Sequence, residues 1–290
     1  MSFPRYPDWK PLAFEDRPLF ETFLNWDRAG ACEMCFANVL IWKGSEHPKT
    51  TLINGNLCVL IEPTFESPYF LQPLGETDME ATIWTCLSLA PRLSRLPEDF
   101  VRRYGAPFRV EENRNNFDYV YRSEDLAELR GKKFDGKRNR IRKFESLYAH
   151  AYERLRPEHA EGCRRLLAEW YADKGDADPY IKAQRGAILE ALDSFGDLGL
   201  VGGVVTVSGK VEAFTIGQGL TGDMALIQIE IANPALPGLA QWINREFVRR
   251  EWLSYAFINR EQDLGLEGLR RAKLSYQPVR LLKKYDLSLT

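Results

Sequence analysis

Five polar side chains with chemical potential follow one apolar run without interruption. The run ends at Ile258, and Asn259, Arg260, Glu261, Gln262 and Asp263 come directly after it. We expect the run to be a strand, and in α/β folds the residues just past a strand end commonly form the site. Carboxylates there can move protons, while an amide and a guanidinium can stabilise developing negative charge. The alternative is an ordinary loop followed by a solvated helix.

A second notable stretch is strongly cationic. Residues 130–143, RGKKFDGKRNRIRK, hold eight lysines and arginines and one acid, Asp135. Such a density of like charge repels itself unless it meets an anion. The phosphates of a nucleotide, coenzyme A, a tRNA end or a phospholipid would serve. A solvated helix face, neutralised by acids elsewhere in the chain, is the competing interpretation.

Length and composition limit the classes of protein that fit. A chain of 290 residues favours two domains, and the polar stretch after Val110 predicts a junction between residues 1–115 and 116–290. The net charge is −2, so a nucleic-acid or lipid contact needs a local patch, and we expect no DNA partner. No signal peptide or apolar span is evident, which predicts a cytoplasmic protein. Peripheral association with the inner membrane face stays open.

Local patterns predict mixed α/β structure in both halves. A helix is expected over Asp16–Trp26, and an Asn54-Gly55 turn predicts a hairpin. In the second half, turns at Ser208-Gly209 and Thr221-Gly222 join three strands into an antiparallel meander. A helix from Leu239 to Trp252 follows, with Asn244 and Glu246 away from its apolar face.

Several site classes are not supported by any motif. The chain has no G-x-S-x-G, no H-E-x-x-H and no G-x-G-x-x-G pattern. Cys32 and Cys35 form a single C-x-x-C, which is better explained as a helix start than as half of a zinc site. We therefore expect no metal and no tightly bound cofactor.

The order of elements in the second half resembles an acyl-CoA N-acyltransferase (GNAT) core. In that fold two central strands separate, and N–H groups at the next helix start bind an acyl donor's phosphates. The loop Asn233–Gly238 lies where that anion site would fall. Glu230, Asn259 and Glu261 would then lie at neighbouring strand ends, where each is able to position or deprotonate an acceptor.

Three stretches resemble one bacterial family. They are INREQDLGLEGLRRAKLSYQP, GKKFDGKRNRIRKF and, more loosely, CEMCFANVLIW. They are similar to the domain found at the C-terminus of phosphatidylglycerol lysyltransferases, which is related to the Fem-type aminoacyl transferases. The resemblance implies an α/β (α+β) fold of two packed GNAT-like units, each a mostly antiparallel mixed sheet flanked by helices. It also implies transfer of an aminoacyl group from tRNA to a lipid hydroxyl or a peptide amine.

The resemblance also implies residue roles. Asn259 matches the asparagine that ends the family's late strand, and Lys273 matches the lysine of its final segment. We expect Glu230, Asn259, Glu261 and Lys273 to be catalytic. The expected donor-binding set is Lys132, Lys133, Lys137, Arg138, Arg140, Arg260, Arg270 and Arg271. The expected substrate channel contains Asn139, Asn244, Asp263 and Tyr276.

Two functional hypotheses follow. One is an acyl or aminoacyl transferase that takes its group from acyl-CoA or aminoacyl-tRNA and gives it to an amine or hydroxyl, including that of an anionic lipid. The other is a binding module of the same fold, which holds a nucleotide, a tRNA or an anionic membrane surface without turnover. The sequence leaves the donor, the acceptor and the oligomeric state open.

Overall fold

The computed structural model describes residues 3–24, 30–172 and 179–290, and the chain in it divides into two compact units. The first unit contains residues 1–118, 262–266 and 281–290, and the second contains 119–261 and 267–280. The predicted junction between residues 115 and 116 is close to Asp118, after which the chain first passes from the first unit into the second. The predicted division differs from the structure at the C-terminus, since residues 281–290 return to the first unit.

The first unit is built on one mixed sheet. Within the described residues it has seven strands in the order β1-β2-β3-β4-β5-β14-β6. The strands are β1 (Lys10–Pro11), β2 (Lys49–Ile53), β3 (Asn56–Ile61), β4 (Tyr69–Phe70), β5 (Leu93–Pro97), β6 (Arg109–Glu112) and β14 (Lys284–Ser288). The helices are α1 (Arg17–Phe23), α2 (Phe36–Ile41), α3 (Lys43–Glu46), α4 (Met79–Leu89) and α5 (Glu98–Tyr104).

Local chemistry explains several elements of the first unit. Asn54 and Gly55 both have positive φ, 49° and 84°, which a tight hairpin between β2 and β3 requires. Cys35 caps α2, because its sulfur accepts a hydrogen bond from the Asn38 backbone N–H. The described part of the first predicted helix begins near Asp16 as expected, whereas its predicted end at Trp26 lies outside the described residues.

The second unit has the sheet order β13-β7-β12-β11-β10-β9-β8, again seven strands within the described residues. The strands are β7 (Asp118–Arg122), β8 (His150–Arg154), β9 (Val201–Val207), β10 (Lys210–Gly219), β11 (Met224–Ala232), β12 (Phe257–Asn259) and β13 (Arg280–Leu282). The helices are α6 (Ser123–Glu128), α7 (Asp135–Leu147), α8 (Ala160–Ala172), α9 (Pro179–Asp193), α10 (Leu239–Phe247) and α11 (Glu267–Leu274).

The predicted meander corresponds to β9, β10 and β11, which pair antiparallel in sequence order. The predicted long helix is instead α10 followed by a π-helical turn over Val248–Trp252. Asn244 and Glu246 were expected away from the apolar face, and that prediction is wrong: both are buried, at 1% and 8% exposure. Each finds polar partners there, which makes burial tolerable.

The start of α10 packs closely on α7. Gly238 has φ of 97°, and a Cβ atom at this position would lie 2.1 Å from the backbone oxygen of Arg140. Only glycine tolerates both the positive φ and the close approach of the Arg140 backbone without strain. The cationic helix is thereby fixed against the element that leads from β11 towards β12. Among the described residues, no helix combines the length and the apolar character needed to cross a bilayer.

Candidate functional site

A split between two parallel strands creates the candidate site of the second unit. β11 and β12 pair only from Met224–Leu226 against Phe257–Asn259. Beyond that point β11 continues alongside β10, whereas the chain after Asn259 turns towards β7. Glu230 and Arg260 lie just past the split, one from each strand. Polar side chains from the two strands therefore meet where β11 and β12 no longer form hydrogen bonds with each other.

An ion pair joins the two strands across this split. Arg260 donates from Nε at 2.9 Å and from Nη2 at 2.5 Å to one oxygen of Glu230. Asn244 on α10 donates from Nδ2 to the other oxygen at 2.9 Å. The side chains of Arg260 and Glu230 retain 13% and 21% exposure, so the pair is partly open to solvent.

Two polar atoms of this cluster have no hydrogen-bond partner among the described residues. They are Oδ1 of Asn244, which accepts, and Nη1 of Arg260, which donates. Both atoms are buried, and a buried polar group left unpaired costs about 1–3 kcal/mol. A donor and an acceptor on the two sides of one carboxylate fit a ligand that carries both kinds of group.

Two tyrosines enclose the guanidinium. The carbon Cζ of Arg260 lies 4.8 Å from the ring centroid of Tyr276 and 5.7 Å from that of Tyr121. Burial raises the pKa of Tyr276 to about 12, against the opposing effect of Arg260, so its phenol is neutral at physiological pH. Cation–π contacts of this kind hold the guanidinium in place without using its N–H groups.

Asn259 and Lys273 contact backbone in this structure. Asn259 is fully buried, and its Oδ1 accepts a hydrogen bond from the Glu261 N–H at 2.8 Å. The Lys273 ammonium donates to the carbonyls of Arg260 and Glu261. Glu261 has φ of 55°, an uncommon value for a residue with a side chain. These contacts hold the backbone turn that carries Arg260.

The cations of the predicted donor-binding set differ in their surroundings. Lys132 and Arg140 are exposed. Lys133 pairs with Asp125 at 3.6 Å, and Arg138 donates to the Leu129 and Gly131 carbonyls and to Asp135. Lys137 is half-buried and contacts Tyr276. Within this set, the structure brings Lys137 and Arg260 onto the same tyrosine ring.

The remaining predicted residues have other surroundings. Asp263 belongs to the first unit, is fully buried, and accepts hydrogen bonds from Arg114 and from the Gly265 N–H. Arg271 is exposed and pairs with Glu267, while Arg270 is half-buried on the same helix, α11. Asn139 is exposed and accepts from Arg142.

The loop before α10 uses most of its own N–H groups. The Asn233 N–H donates to the Glu212 carbonyl, and those of Ala235 and Leu236 donate to Asn233. The Leu239 N–H donates to the Leu236 carbonyl, and the two prolines have no N–H to offer. Three of the six loop residues thus have their N–H groups in use and two are prolines, so the loop itself offers few amides to a pyrophosphate.

Sequence reasoning missed a second ionic cluster, which lies in the first unit. Lys284 on β14 is fully buried, with Nζ 2.5 Å from Glu33, 2.6 Å from Asp118 and 3.4 Å from the sulfur of Cys32. Ligand atoms of these three partners lie within 4.8 Å of one another, a spacing that also suits a metal ion. The ammonium of Lys284 already supplies a cation there. The signals for this region in the sequence were the loose N-terminal motif and the single C-x-x-C of Cys32 and Cys35.

Comparison with known families decides the relationship of the chain. Residues 28–288 match the family described as phosphatidylglycerol lysyltransferase, C-terminal. The chain belongs to this family. A conserved protein of unknown function from Bacteroides thetaiotaomicron is 32% identical, with all of both chains covered and a TM-score of 0.88. No curated protein sequence matches at a significant level.

Three further solved structures share the fold. The L-PGS structure from Bacillus licheniformis is 16% identical over 100% of this chain and 94% of that one, with a TM-score of 0.61. FemX is 9% identical over 98% and 97%, with a TM-score of 0.56. A tandem GNAT protein of clavulanic acid biosynthesis is 10% identical over 96% and 97%, with a TM-score of 0.50. The predicted fold class and family are confirmed.

Proposed function

We propose that this family member transfers an aminoacyl group from aminoacyl-tRNA to an amine or hydroxyl acceptor. The observation that carries the proposal is the Glu230–Arg260–Asn244 cluster, with its unused acceptor and donor atoms beside a carboxylate. An aminoacyl ester carries an ammonium and a carbonyl oxygen, which match those atoms. Membership in a family named for lysyl transfer supports an aminoacyl over a plain acyl group.

The cationic helix α7 favours tRNA, rather than coenzyme A, as the carrier of the transferred group. Arg140 and Arg142 of α7 are exposed, as is Lys132 just before it, and α7 packs directly against the start of α10. Exposed cations along a helix suit a phosphate backbone. The alternative donor, acyl-CoA, fits less well because most residues of the loop Asn233–Gly238 have no N–H to offer: three donate within the protein and two are prolines.

In this proposal transfer occurs in one ternary complex. The acceptor atom attacks the ester carbonyl carbon, a new C–N or C–O bond forms, and the ester bond to the ribose oxygen breaks. Glu230 and Asn244 bind the ammonium, and Nη1 of Arg260 stabilises the oxyanion as it develops. Asn259 and Lys273 act as positioning residues that hold the Arg260 backbone.

The test is a transfer assay with radiolabelled lysyl-tRNA and a mixture of charged tRNAs, offered phosphatidylglycerol vesicles or a simple primary amine. We expect an acid-stable product from the wild-type protein. We expect Glu230→Gln to lower its rate by about 100-fold or more, because the ammonium loses its counter-charge. Arg156→Met, at an exposed arginine of the same unit, is the matched control and should leave the rate unchanged.

Donor binding is measured separately by tRNA filter binding. Arg140→Glu should weaken tRNA affinity and flatten its salt dependence, since one phosphate contact is lost. Arg156→Glu makes the same charge change outside α7 and should have little effect. Binding of acetyl-CoA but not tRNA by the wild-type protein would contradict the donor assignment.

One observation favours a binding module instead. Three N–H groups already point at the Glu230 carboxylate, so it has limited capacity left to accept a proton. A module of this fold would bind tRNA or an anionic surface through α7 and show no turnover. Tight tRNA binding without product from any charged tRNA would support this second candidate.

A further inference from the structure

Lys137 has an unusual position for a lysine of a cationic helix. Its ammonium nitrogen lies 2.6 Å from Oγ of Ser275 and 4.0 Å from the ring centroid of Tyr276. The Ser275 hydroxyl donates to the Ala272 carbonyl at 2.6 Å, so its oxygen is left to accept from Lys137. The side chain is half-buried. Lys137 therefore points at the aromatic wall of the site, while exposed cations of α7 face solvent.

The charges that act on Lys137 are cationic. No carboxylate of the described residues forms an ion pair with it. Burial, followed by the nearby charges of Arg140 and Arg260, lowers the pKa of Lys137 to about 8. The other titratable group in contact, the phenol of Tyr276, is neutral because its own pKa is about 12. At neutral pH a useful fraction of Lys137 is therefore an uncharged amine.

Contacts connect Lys137 to the ion pair of the site. The ring of Tyr276 has Lys137 at 4.0 Å and the guanidinium of Arg260 at 4.8 Å. Arg260 in turn binds Glu230. A titratable amine and the guanidinium proposed to bind the oxyanion thus contact the same aromatic ring.

We propose that Lys137 is the proton-transfer residue of this site, and not a phosphate ligand. The inference rests on the proposed aminoacyl transfer. When the acceptor N–H or O–H attacks the ester carbon, its proton moves to the lone pair of the neutral Lys137 amine. The resulting ammonium then gives that proton to the ribose oxygen as the ester bond breaks. Lys137 ends each turnover unchanged, and no other reactant is needed.

The two roles of Lys137 predict opposite behaviour on substitution. A phosphate ligand needs only permanent positive charge, so arginine would serve. A proton-transfer residue must lose and regain a proton, and arginine cannot do so at accessible pH. The variant Lys137→Arg therefore separates the roles, because it keeps the charge of α7 and removes the titration.

The first experiment requires no substrate. The intact protein is treated with trace acetic anhydride across pH 6 to 11, and labelling of each lysine is read by mass spectrometry. We expect the Lys137 amine to reach half-maximal labelling near pH 8. A midpoint near the ordinary lysine value of 10.5 would overturn the inference.

The second experiment measures kcat and KM for transfer from lysyl-tRNA as a function of pH. In the wild-type protein kcat should rise with pH through about 8, since the neutral amine is the active form. Lys137→Arg should lower kcat by about 100-fold or more, leave tRNA affinity within about twofold, and remove that rise. Lys182→Arg, at an exposed lysine of α9, is the control.

The outcomes separate the two proposals. An active wild-type protein whose Lys137→Arg variant keeps its kcat and its pH profile overturns the proton-transfer role and leaves the proposed function intact. A wild-type protein that transfers nothing from any charged tRNA overturns both. Loss of tRNA affinity in Lys137→Arg without a change in kcat would also contradict the proposal.

Discussion

Each unit contains a cation surrounded by polar groups, but the two clusters are built differently. In the first unit Lys284 is fully buried among Glu33, Asp118 and Cys32, which are 6%, 0% and 0% exposed. In the second unit Arg260 meets one carboxylate, Glu230, and both side chains keep some exposure. One cluster is closed around its own cation, and the other is partly open to solvent.

The pKa of each cation follows from its neighbours. Burial alone lowers the pKa of Lys284, but Asp118, Cys32 and Glu33 together raise it well above its ordinary value. Lys284 therefore stays charged and paired, and among the described residues Oε1 of Glu33 has no hydrogen-bond partner. The Arg260 cluster instead leaves both a donor and an acceptor unused. We infer that the closed cluster stabilises the fold, whereas the open one binds a ligand.

The largest effect on stability should come from Lys284→Met. It leaves two buried carboxylates without a counter-charge, and removing one partner of a buried pair costs about 3–5 kcal/mol. Urea denaturation followed by circular dichroism measures the loss. Lys283→Met changes the exposed neighbour, which pairs with Glu112, and should barely move the midpoint.

A second variant covers the case in which Lys284→Met does not fold. Glu33→Gln, Asp118→Asn and Lys284→Met together remove every formal charge of the ion pairs and should recover much of the stability. Equal stability of the wild-type protein and Lys284→Met would contradict a structural role for this cluster.

Arg260→Met should have a smaller effect on stability and a larger effect on function. Glu230 is 21% exposed, so solvent and Asn244 still compensate its charge, and we expect a loss of about 2 kcal/mol. Lysyl transfer should fall below detection, because the proposed oxyanion donor is gone. Arg156→Met serves as the control in both assays. Transfer by Arg260→Met at the wild-type rate would contradict the proposed role of Arg260 as oxyanion donor.

The smallest expected effect is a gain in stability, in the variant Lys137→Met. Lys137→Met removes a cation that faces Arg140 and Arg260, so the variant should be slightly more stable than the wild-type protein at pH 7. The pKa of Lys137 is about 8 in the folded protein and 10.5 for an ordinary lysine, so the unfolded chain binds more protons between these values. As the pH rises from 8 to 10.5, the wild-type protein should therefore gain stability. The difference in stability between it and Lys137→Met should then disappear. Denaturation midpoints at pH 7 and 10 test this.

Elements specified by neighbouring residues were predictable. The hairpin at Asn54-Gly55 depends on two residues that accept positive φ, and β9, β10 and β11 are joined by short turns. The segment after Ile258 was identified because its polar residues are consecutive. The predicted fold class and family are confirmed, while the residue roles stay predictions.

Elements specified by distant residues were not predictable. β14 was missed because it pairs with β5 and β6, far away in sequence. The burial of Asn244 was missed because helical periodicity assigns it to a polar face, whereas its partner Glu230 lies on β11. Lys137 was grouped with the other cations of its helix because its distinguishing neighbours, Ser275 and Tyr276, come more than 130 residues later.

The sequence by itself determined which residues could do chemistry, the mixed α/β class and the cationic helix, since composition and short-range periodicity fix these. The tertiary structure decided what each group does. It buried Lys284 among acidic groups and placed Lys137 near the cations Arg140 and Arg260. It also left Arg260 and Asn244 with unused atoms. The physical reason is that the free energy of a charged or polar group depends on its neighbours and burial, which only the folded chain brings together.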